Sequence, residues 1–322
     1  MALELKDLRY FVAVAEEGHV TRAAERLGIE QPPLSIRIKA LEQHLDVQLF
    51  RRKPRGMELT DAGHMLLEEA RHVLIRLEHA VAATKAVARG QQGRLRIGIA
   101  PTAPFHPFVP RCIRSFRGRY PQVVVTISEG LSDEVRQQLV EKQIDVAFVR
   151  VAEMREDSLR VDMLLEEPLI AALPASHLLA RQGTIPSLEA LRLDAFVLYG
   201  PPGTGIYDET VRACNAAGFT PVIGQVAPRI TSTLGFVAAG MGVALVPASM
   251  RRVAVDGVAY RDFGSSVRAK AVLGVAWRRN ESIAVVRNFI SSIGKDKSEH
   301  IGASGDSDKG IGIVAVPDSC NP

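Results

Sequence analysis

Residues 20–45 constrain the fold more than any other stretch, because they pattern as two helices joined by one tight turn. Ala23, Ala24 and Leu27 lie at the spacing of a single helix face, and Gly28 follows them. Glycine most easily takes the left-handed conformation in which many helices end. The stretch therefore predicts a helix-turn-helix, a motif that binds DNA in many proteins but also occurs in proteins that never contact DNA.

The second of these helices has two faces of different character. It begins at Pro32 and Pro33, which suit a first turn because the N–H groups there would be unpaired anyway. One face is apolar and predicts a core contact: Leu34, Ile38, Leu41 and Leu45. The opposite face carries side chains that suit base edges, thymine methyls and phosphates: Pro32, Ser35, Ile36, Arg37 and Lys39. We interpret it as a recognition helix; a solvated helix with one stray isoleucine is the alternative.

A short basic hairpin follows the recognition helix. Residues 47–50 lead into a cluster of cations within residues 51–55, and residues 57–60 form a second strand after Gly56. We interpret the hairpin as a wing with Arg52 and Arg55 at DNA phosphates, because clustered charge matches a phosphate contact. Surface charge runs are usually only solvated. The position of this one after the recognition helix favours DNA binding.

The head of the chain, residues 1–59, resembles the LysR-type transcriptional regulators. Its motifs stand at that family's spacing: Leu8-Arg9-Tyr10-Phe11, Ala23-Ala24-Glu25-Arg26-Leu27, Gln31-Pro32-Pro33-Leu34-Ser35, Leu41-Glu42 and Leu59-Thr60-Asp61-Ala62-Gly63. The match covers the whole head and, more loosely, the chain to about residue 293. The resemblance implies a sequence-specific regulator, an activator, that binds a double-stranded DNA operator and works with RNA polymerase.

The resemblance also implies DNA contacts at individual positions. These are Gln31, Pro32, Pro33, Ser35 and Arg55. The family usually places an arginine directly after this serine, whereas the present chain has Ile36 there and Arg37 next. We therefore expect its operator preference to differ from that of close relatives.

Residues 60–90 predict one long linker helix. Apolar side chains recur at alternating spacings of four and three, which is a heptad seam: Leu66, Ala70, Val73, Leu77, Ala80, Thr84 and Val87. At about 1.5 Å per residue the helix is roughly 45 Å long, too long to be covered by the small head. We expect a homodimer through this seam, and the resemblance implies a homotetramer. A helix packed within its own chain is the alternative.

Residues 91–294 alternate between strand and helix patterns, which predicts an α/β domain with parallel strands. The periodicity does not show how many lobes form. The resemblance implies a two-lobed effector domain similar to a periplasmic binding protein, with lobe I at about residues 91–165 and 267–294 and lobe II at about 166–266. The whole chain is therefore expected to join an all-α winged helix-turn-helix, a linker helix and an α/β effector domain.

The candidate effector site lies in the loops at the carboxyl ends of strands, where α/β proteins bind ligands. These loops contain Thr102, Ser132, Arg150 and Thr231, a set of hydroxyls and one guanidinium that suits a small carboxylate. Each hydroxyl taken alone is more simply a helix cap. Relatives that sense intermediates of aromatic breakdown carry similar residues at the first three positions. They imply an aromatic carboxylate or its ring-opened product as effector, although one extra residue between 101 and 104 leaves the register of Thr102 open.

Arg150 ends an apolar strand, where an unpaired guanidinium is costly, so we expect it to have an anionic partner. Either the effector or a protein carboxylate such as Glu129 can fill that role. A glycine-rich turn at residues 200–205 copies much of a phosphate-binding loop but has Ile206 where that loop needs lysine. The turn is instead expected to present Thr204 and Tyr207 to the effector.

An enzyme or nucleotide-binding α/β domain attached to a DNA-binding head is the alternative function. We expect no enzymatic activity, no cofactor and no metal site, because no convincing nucleophile and base pair occurs and Cys112, Cys214 and Cys320 are scattered. No apolar segment has the length of a membrane span and no signal peptide is recognised, so a cytoplasmic location is expected. Residues 295–322 are rich in Gly, Ser and Asp and predict a disordered tail.

Overall fold

The computed structural model describes residues 3–54, 56–150, 156–264 and 267–303. Two compact units divide the chain, with a boundary between Ala86 and Val87. This boundary lies near the end of the linker helix, where the sequence analysis places the junction between linker and effector domain. Among the described helices, none is long and apolar enough to cross a membrane.

The first unit begins with a winged helix-turn-helix, as predicted. Its elements are α1 (Leu5–Glu17), α2 (Val20–Leu27), α3 (Gln31–Leu45), β1 (Phe50–Lys53) and β2 (Gly56–Leu59). Gly28 ends α2 in the left-handed region at φ 66°, and β1 and β2 pair as an antiparallel hairpin. Phe11 and Leu34 are fully buried in the core that the three helices share. The apolar stripe of the recognition helix is therefore the face that holds it to the head.

The linker helix α4 extends from Asp61 to Ala88. Its first turns belong to the head, because Leu66 and Leu67 pack against the head core and Ala70 is buried within it. The head core therefore covers Ala70 completely and Leu66 in part, two positions of the predicted seam. Beyond them apolar side chains are exposed, including Val73 (43%) and Val87 (56%). A dimer seam would have to begin at about Val73.

Lobe I of the second unit is built from parallel strands flanked by helices. Its elements are β3 (Gln92–Ile99), α5 (Phe108–Arg119), β4 (Gln122–Glu129), α6 (Ser132–Val140) and β5 (Val146–Arg150). β3 lies between β4 and β5 and is parallel to both. Phe108, Phe116 and Phe148 are buried in the core beneath this sheet. The carboxyl ends of the three strands therefore meet at one edge.

Lobe II follows along a long strand that serves both lobes. Its elements are β6 (Leu159–Pro174), β7 (Thr184–Ile185), β8 (Ala195–Tyr199), α7 (Gly205–Ala216), β9 (Val222–Ala227), α8 (Ile230–Ala238), β10 (Ala244–Pro247) and β11 (Val258–Phe263). β8 and β9 are parallel. The carboxyl half of β6 pairs with β10 and β11, and its amino half pairs with β12 (Lys270–Arg278) in lobe I. β6 and β12 are thus the crossover strands, which confirms the two-lobed fold.

Two expectations about the second unit need correction. The crossover strand β12 is antiparallel to both β5 and β6, so the sheet is mixed and not purely parallel. The final helix α9 extends from Ala284 to Ala303, so the expected disorder is wrong for residues 295–303. Tertiary hydrogen bonds reach this extension: Lys297 Nζ donates to the Met163 carbonyl at 2.8 Å, and Ser115 Oγ donates to Asp296 Oδ1 at 3.4 Å. The remaining part of the expected tail, 304–322, lies outside the described residues.

Candidate DNA-binding surface and effector site

The amino-terminal half of the recognition helix presents its predicted face to solvent. Ile36 is 68% exposed, and Pro32 and Pro33 are exposed in the first turn. Gln31 Nε2 donates to Ser35 Oγ at 2.9 Å, which fixes both side chains one turn apart. Lys39 is exposed farther along the helix. This surface combines polar donors and acceptors with an aliphatic group, as a major-groove contact requires.

Arg37 differs from its neighbours because it is already engaged. Its Nη1 donates to Asp7 Oδ1 at 3.3 Å, and Asp7 is buried at the start of α1. The pair holds the recognition helix to the first helix, so Arg37 is not free for bases in this conformation. The sequence pattern placed Arg37 beside the outer face but could not show that Asp7, thirty residues away in the chain, holds it.

The wing separates its cations into paired and unpaired ones. Lys53 forms an ion pair with Glu58 across the hairpin, and this hydrogen bond lowers the pKa of the Glu58 carboxyl. Arg52 is exposed and makes no hydrogen bond or ion pair to any residue that the structure describes. Arg55, predicted to contact a phosphate, lies outside the described residues. Of the two predicted wing contacts, Arg52 is therefore the one that the structure describes, and its guanidinium is available to a DNA phosphate.

Four predicted effector residues meet in a small cavity of about 20 Å³, here called the front cavity. It lies between the lobes and is lined by Thr102, Ser132, Arg150, Tyr199, Thr204 and Ile206, among others. The first three follow or end lobe I strands, and Thr204 precedes α7 in lobe II. Because the carboxyl ends of these strands face the same crevice, residues far apart in sequence converge there.

The structure also decides the helix-cap alternative for the three hydroxyls. Thr102 makes no capping hydrogen bond, and Ser132 lies inside α6, whose capping position is Leu131. Thr231 likewise lies inside α8, with Arg229 at the capping position. None of these hydroxyls caps its helix, and Thr102 and Ser132 both line the front cavity.

Tyr207 and Thr231 do not line the front cavity. Tyr207 packs against the core of lobe II, and Thr231 is exposed on the surface. The helical turn explains the first result, because adjacent residues point about 100° apart and Ile206 is the one that faces the crevice. Tyr199, at the end of β8, supplies the aromatic ring in place of Tyr207.

Arg150 is at the centre of a buried polar chain. Its side chain is 6% exposed, its Nε donates to Thr102 Oγ1 at 3.0 Å, and its Nη2 donates to Glu167 Oε1 at 3.0 Å. The other oxygen of Glu167 accepts the Ser249 N–H at 2.8 Å. The chain thus links lobe I, the crossover strand β6 and lobe II. The Arg150 Nη1 atom is buried without a partner in the described residues.

The partner suggested from sequence, Glu129, is wrong: it is exposed, and Glu167 holds the guanidinium. A signal for Glu167 was its position next to the apolar run of residues 168–173 in β6, where a buried charge needs a partner. Pairing it with Arg150 required knowing that β6 crosses between the lobes. Groups of three or more His, Cys, Asp or Glu placed to hold a metal do not occur in the described part of the chain.

An exposed recognition helix with a basic wing, followed by a two-lobed domain with a polar cavity between its lobes, is the arrangement of a DNA-binding regulator with an effector domain. Family comparison agrees. Residues 5–64 match the bacterial regulatory helix-turn-helix protein, lysR family, and residues 88–296 match the LysR substrate binding domain. The chain belongs to the LysR family of transcriptional regulators.

Individual relatives match along nearly their whole length. The chain is 37% identical to the regulator BudR of Raoultella terrigena, covering 89% of this chain and 99% of that protein. It is 34% identical to the Hca operon transcriptional activator HcaR of Escherichia coli (strain K12), covering 90% and 97%. The solved structure of CbnR, a LysR family regulator, has a TM-score of 0.82 at 29% identity, covering 90% and 100%. Full-length CbnR complexed with its target DNA has a TM-score of 0.79.

Proposed function

We propose that this LysR-family regulator is a transcriptional activator whose DNA binding is controlled by a small carboxylate bound in the front cavity. The relative HcaR is named as an operon transcriptional activator, which supports activation over repression. An activator acts with RNA polymerase on double-stranded DNA, and that role is consistent with a cytoplasmic location. Arg52 and Arg55 in the wing would carry the operator contact together with the predicted recognition-helix residues other than Arg37, which is paired with Asp7: Gln31, Pro32, Pro33, Ser35, Ile36 and Lys39.

The unpaired Nη1 of Arg150 carries the effector proposal. A buried N–H group without an acceptor costs about 1–3 kcal/mol, and more when it is charged. An anion in the front cavity would relieve this cost, because a carboxylate can accept from the guanidinium and from a neighbouring hydroxyl. Ser132 supplies such a hydroxyl, since it makes no hydrogen bond to the residues that the structure describes.

The size of the front cavity limits the carboxylate. A cavity needs a volume of about 10–15 Å³ to hold one water molecule. The front cavity has a volume of about 20 Å³. The front cavity therefore holds about one water molecule, so any carboxylate enters only if the lobes separate, and acetate requires a smaller separation than an aromatic acid. The volume therefore favours a short aliphatic acid over the aromatic acid that the family resemblance implies.

A thermal-shift comparison on the full chain tests the proposal. Acetate should raise the Tm of the native protein more than benzoate at equal ionic strength, and it should not raise the Tm of Arg150→Ala. Because that variant leaves Glu167 buried without its cation, Ser132→Ala is a milder second variant that should also lose the response. If acetate stabilises both variants as much as the native protein, the carboxylate does not bind in the front cavity. If benzoate raises the Tm of the native protein more than acetate does, the argument from cavity size is wrong.

We further propose that α4 pairs with its twin in a dimer and that a second interface assembles a tetramer. Exposed apolar residues from Val73 onward support the first contact. The outer strands β4 and β9 support the second, since Val124 (58%) and Val222 (60%) are exposed on sheet edges. Ligand binding would shift the lobes, and the dimer would convey that shift to its DNA heads as a change in conformational populations.

Leu77→Lys tests the dimer seam. Leu77 is half-buried on α4 beyond the last residue that packs in the head, so a charge there should weaken a helix pair without disturbing the head core. Sedimentation should show a shift toward monomer. Leu193→Lys is the control, because Leu193 is 93% exposed in lobe II. An unchanged mass for Leu77→Lys would remove α4 from its role in dimerisation.

A further inference from the structure

Ile36 lies at the centre of the solvent-facing surface of the recognition helix. Its side chain is 68% exposed. At about 100° per residue, Pro32 and Pro33 lie one turn before it and Lys39 one turn after it, and all three are exposed. We propose that Ile36 determines operator specificity by packing against the 5-methyl group of a thymine. The proposal rests on the operator contact proposed above for the recognition helix, and it names the base that this contact selects.

An isoleucine at this position contributes little to the fold. The head core contains Leu34, Ile38 and Leu41 from the opposite side of α3, and Ile36 is not part of it. A β-branched side chain also forms a helix less readily than alanine or lysine does. Single exposed apolar residues are common on protein surfaces. The argument for a role at DNA therefore depends on the neighbours of Ile36 and on base chemistry.

The next residue along the helix, Arg37, is directed away from the solvent-facing surface. Its Nη1 donates to Asp7 Oδ1 at 3.3 Å. Asp7 is itself fixed, because it is buried and its other oxygen accepts the Glu4 N–H at 3.1 Å. A base edge opposite Ile36 would consequently meet an aliphatic side chain and not the guanidinium of Arg37.

Thymine is the base whose major-groove edge matches an aliphatic side chain. Guanine, adenine and cytosine present acceptors or amino donors there, which a hydrocarbon cannot pair, whereas thymine adds a methyl group at C5. In helix-turn-helix proteins the amino-terminal residues of the recognition helix contact base edges, and Ile36 is the sixth residue of α3. Packing of the two apolar groups would remove both from water, which is favourable.

Binding of the full chain to DNA that contains deoxyuridine tests the proposal. Duplexes are selected from a random pool by the native chain, and each thymine of the selected site is replaced in turn. Deoxyuridine keeps the O4 acceptor of thymine and lacks only the methyl group. At one thymine or more, the replacement should weaken binding of the native chain about fourfold, equivalent to about 0.8 kcal/mol for one lost methyl contact. Ile36→Ala should bind the thymine and deoxyuridine duplexes equally at that position, as measured by fluorescence anisotropy at constant salt.

Two further variants separate the methyl contact from a general effect on the head. Ile36→Val keeps a β-branched aliphatic side chain, so it should retain most of the preference for thymine over deoxyuridine. Met65→Ala removes an apolar side chain of similar exposure, 64%, from α4 and should retain the whole preference. Since the readout compares two duplexes with the same variant, a change in overall affinity does not affect it.

The proposal is overturned if deoxyuridine weakens binding at none of the thymines, or if Met65→Ala loses the preference. It is also overturned if Ile36→Ala keeps the preference, because Pro32 or Pro33 would then meet the methyl group. Ser35→Ala distinguishes these failures from failure of the operator contact itself. If Ser35→Ala and Ile36→Ala both bind the selected duplexes as well as the native chain does, the recognition helix does not contact the operator.

Discussion

The exposed arginine of the wing and the buried arginine of the cleft carry the same charge in opposite surroundings. Arg52 is solvated and unpaired among the described residues, so it can meet a phosphate at little desolvation cost, and salt screens that contact. Arg150 is buried between the two lobes and already forms an ion pair with Glu167. A buried cation has large energetic consequences when its partner changes. The comparison teaches that the surface cation suits reversible DNA contact, whereas the buried cation suits the detection of a specific anion.

Glu167→Ala should produce the largest effect on stability. Removing one partner of a buried ion pair costs about 3–5 kcal/mol, because the other charge is left uncompensated. Trp277 is the chain's single tryptophan and lies in β12, so its fluorescence in urea reports unfolding of the effector domain. The exposed pair of Glu189 and Arg192 is the matched control, and Glu189→Ala should change stability by less than about 1 kcal/mol. Similar losses for both variants would contradict the distinction between buried and exposed charge.

Arg52→Ala should weaken binding to operator and random DNA alike, about five- to tenfold at low salt. The slope of log affinity against log salt concentration should become less steep by about 0.9, the value for one lost phosphate contact. Ser35→Ala should instead reduce affinity mainly on the operator and leave the salt slope unchanged. Fluorescence anisotropy at several salt concentrations measures both. Equal losses on both DNAs for the two variants would show that the recognition helix does not read bases.

Glu16→Gln should have the smallest effect and a defined pH dependence. Arg71 hydrogen-bonds Glu16 at 2.7 Å and, with Arg26, lowers the pKa of its carboxyl. Because the pKa of Glu16 is lowered in the folded state, the ionised carboxylate stabilises the fold at pH values above its ordinary pKa. This stabilisation is lost as the pH falls through the lowered pKa. The variant should lose less than about 1 kcal/mol at neutral pH and nothing in acid.

Glu25→Gln is the control for this experiment, because Glu25 is exposed and forms no ion pair in the described part of the chain. Far-UV circular dichroism during thermal unfolding measures the difference between each variant and the native chain. A difference for Glu16→Gln that persists unchanged into acid would show that the carboxylate charge is not the cause.

The sequence predicted the head more completely than the effector domain, for a physical reason. In the head, Gly28 and the stripe of Leu34 and Ile38 act over short distances, and helical periodicity is enough to place them. The lobes depend on contacts between distant strands. Thr102, Ser132, Arg150 and Thr204 could be nominated by their position after strands, and the structure brings them together.

Other features required the three-dimensional arrangement. Glu167 reaches Arg150 only because β6 crosses between the lobes, and Arg37 turns to Asp7 only because α1 lies against α3. The helix extension past residue 294 makes tertiary contacts, such as the hydrogen bond from Lys297 Nζ to the Met163 carbonyl, which composition alone does not reveal.

Footprinting on the DNA upstream of this protein's coding region, with and without acetate, tests the central claim most directly. The account predicts that the native chain protects this DNA. Acetate should change either the affinity for the DNA or the length of the protected region. Ser132→Ala should protect the same DNA but lose the response to acetate, because its recognition helix and wing are unchanged. Protection that is the same with and without acetate, or a response that Ser132→Ala retains in full, would contradict control of DNA binding through the front cavity.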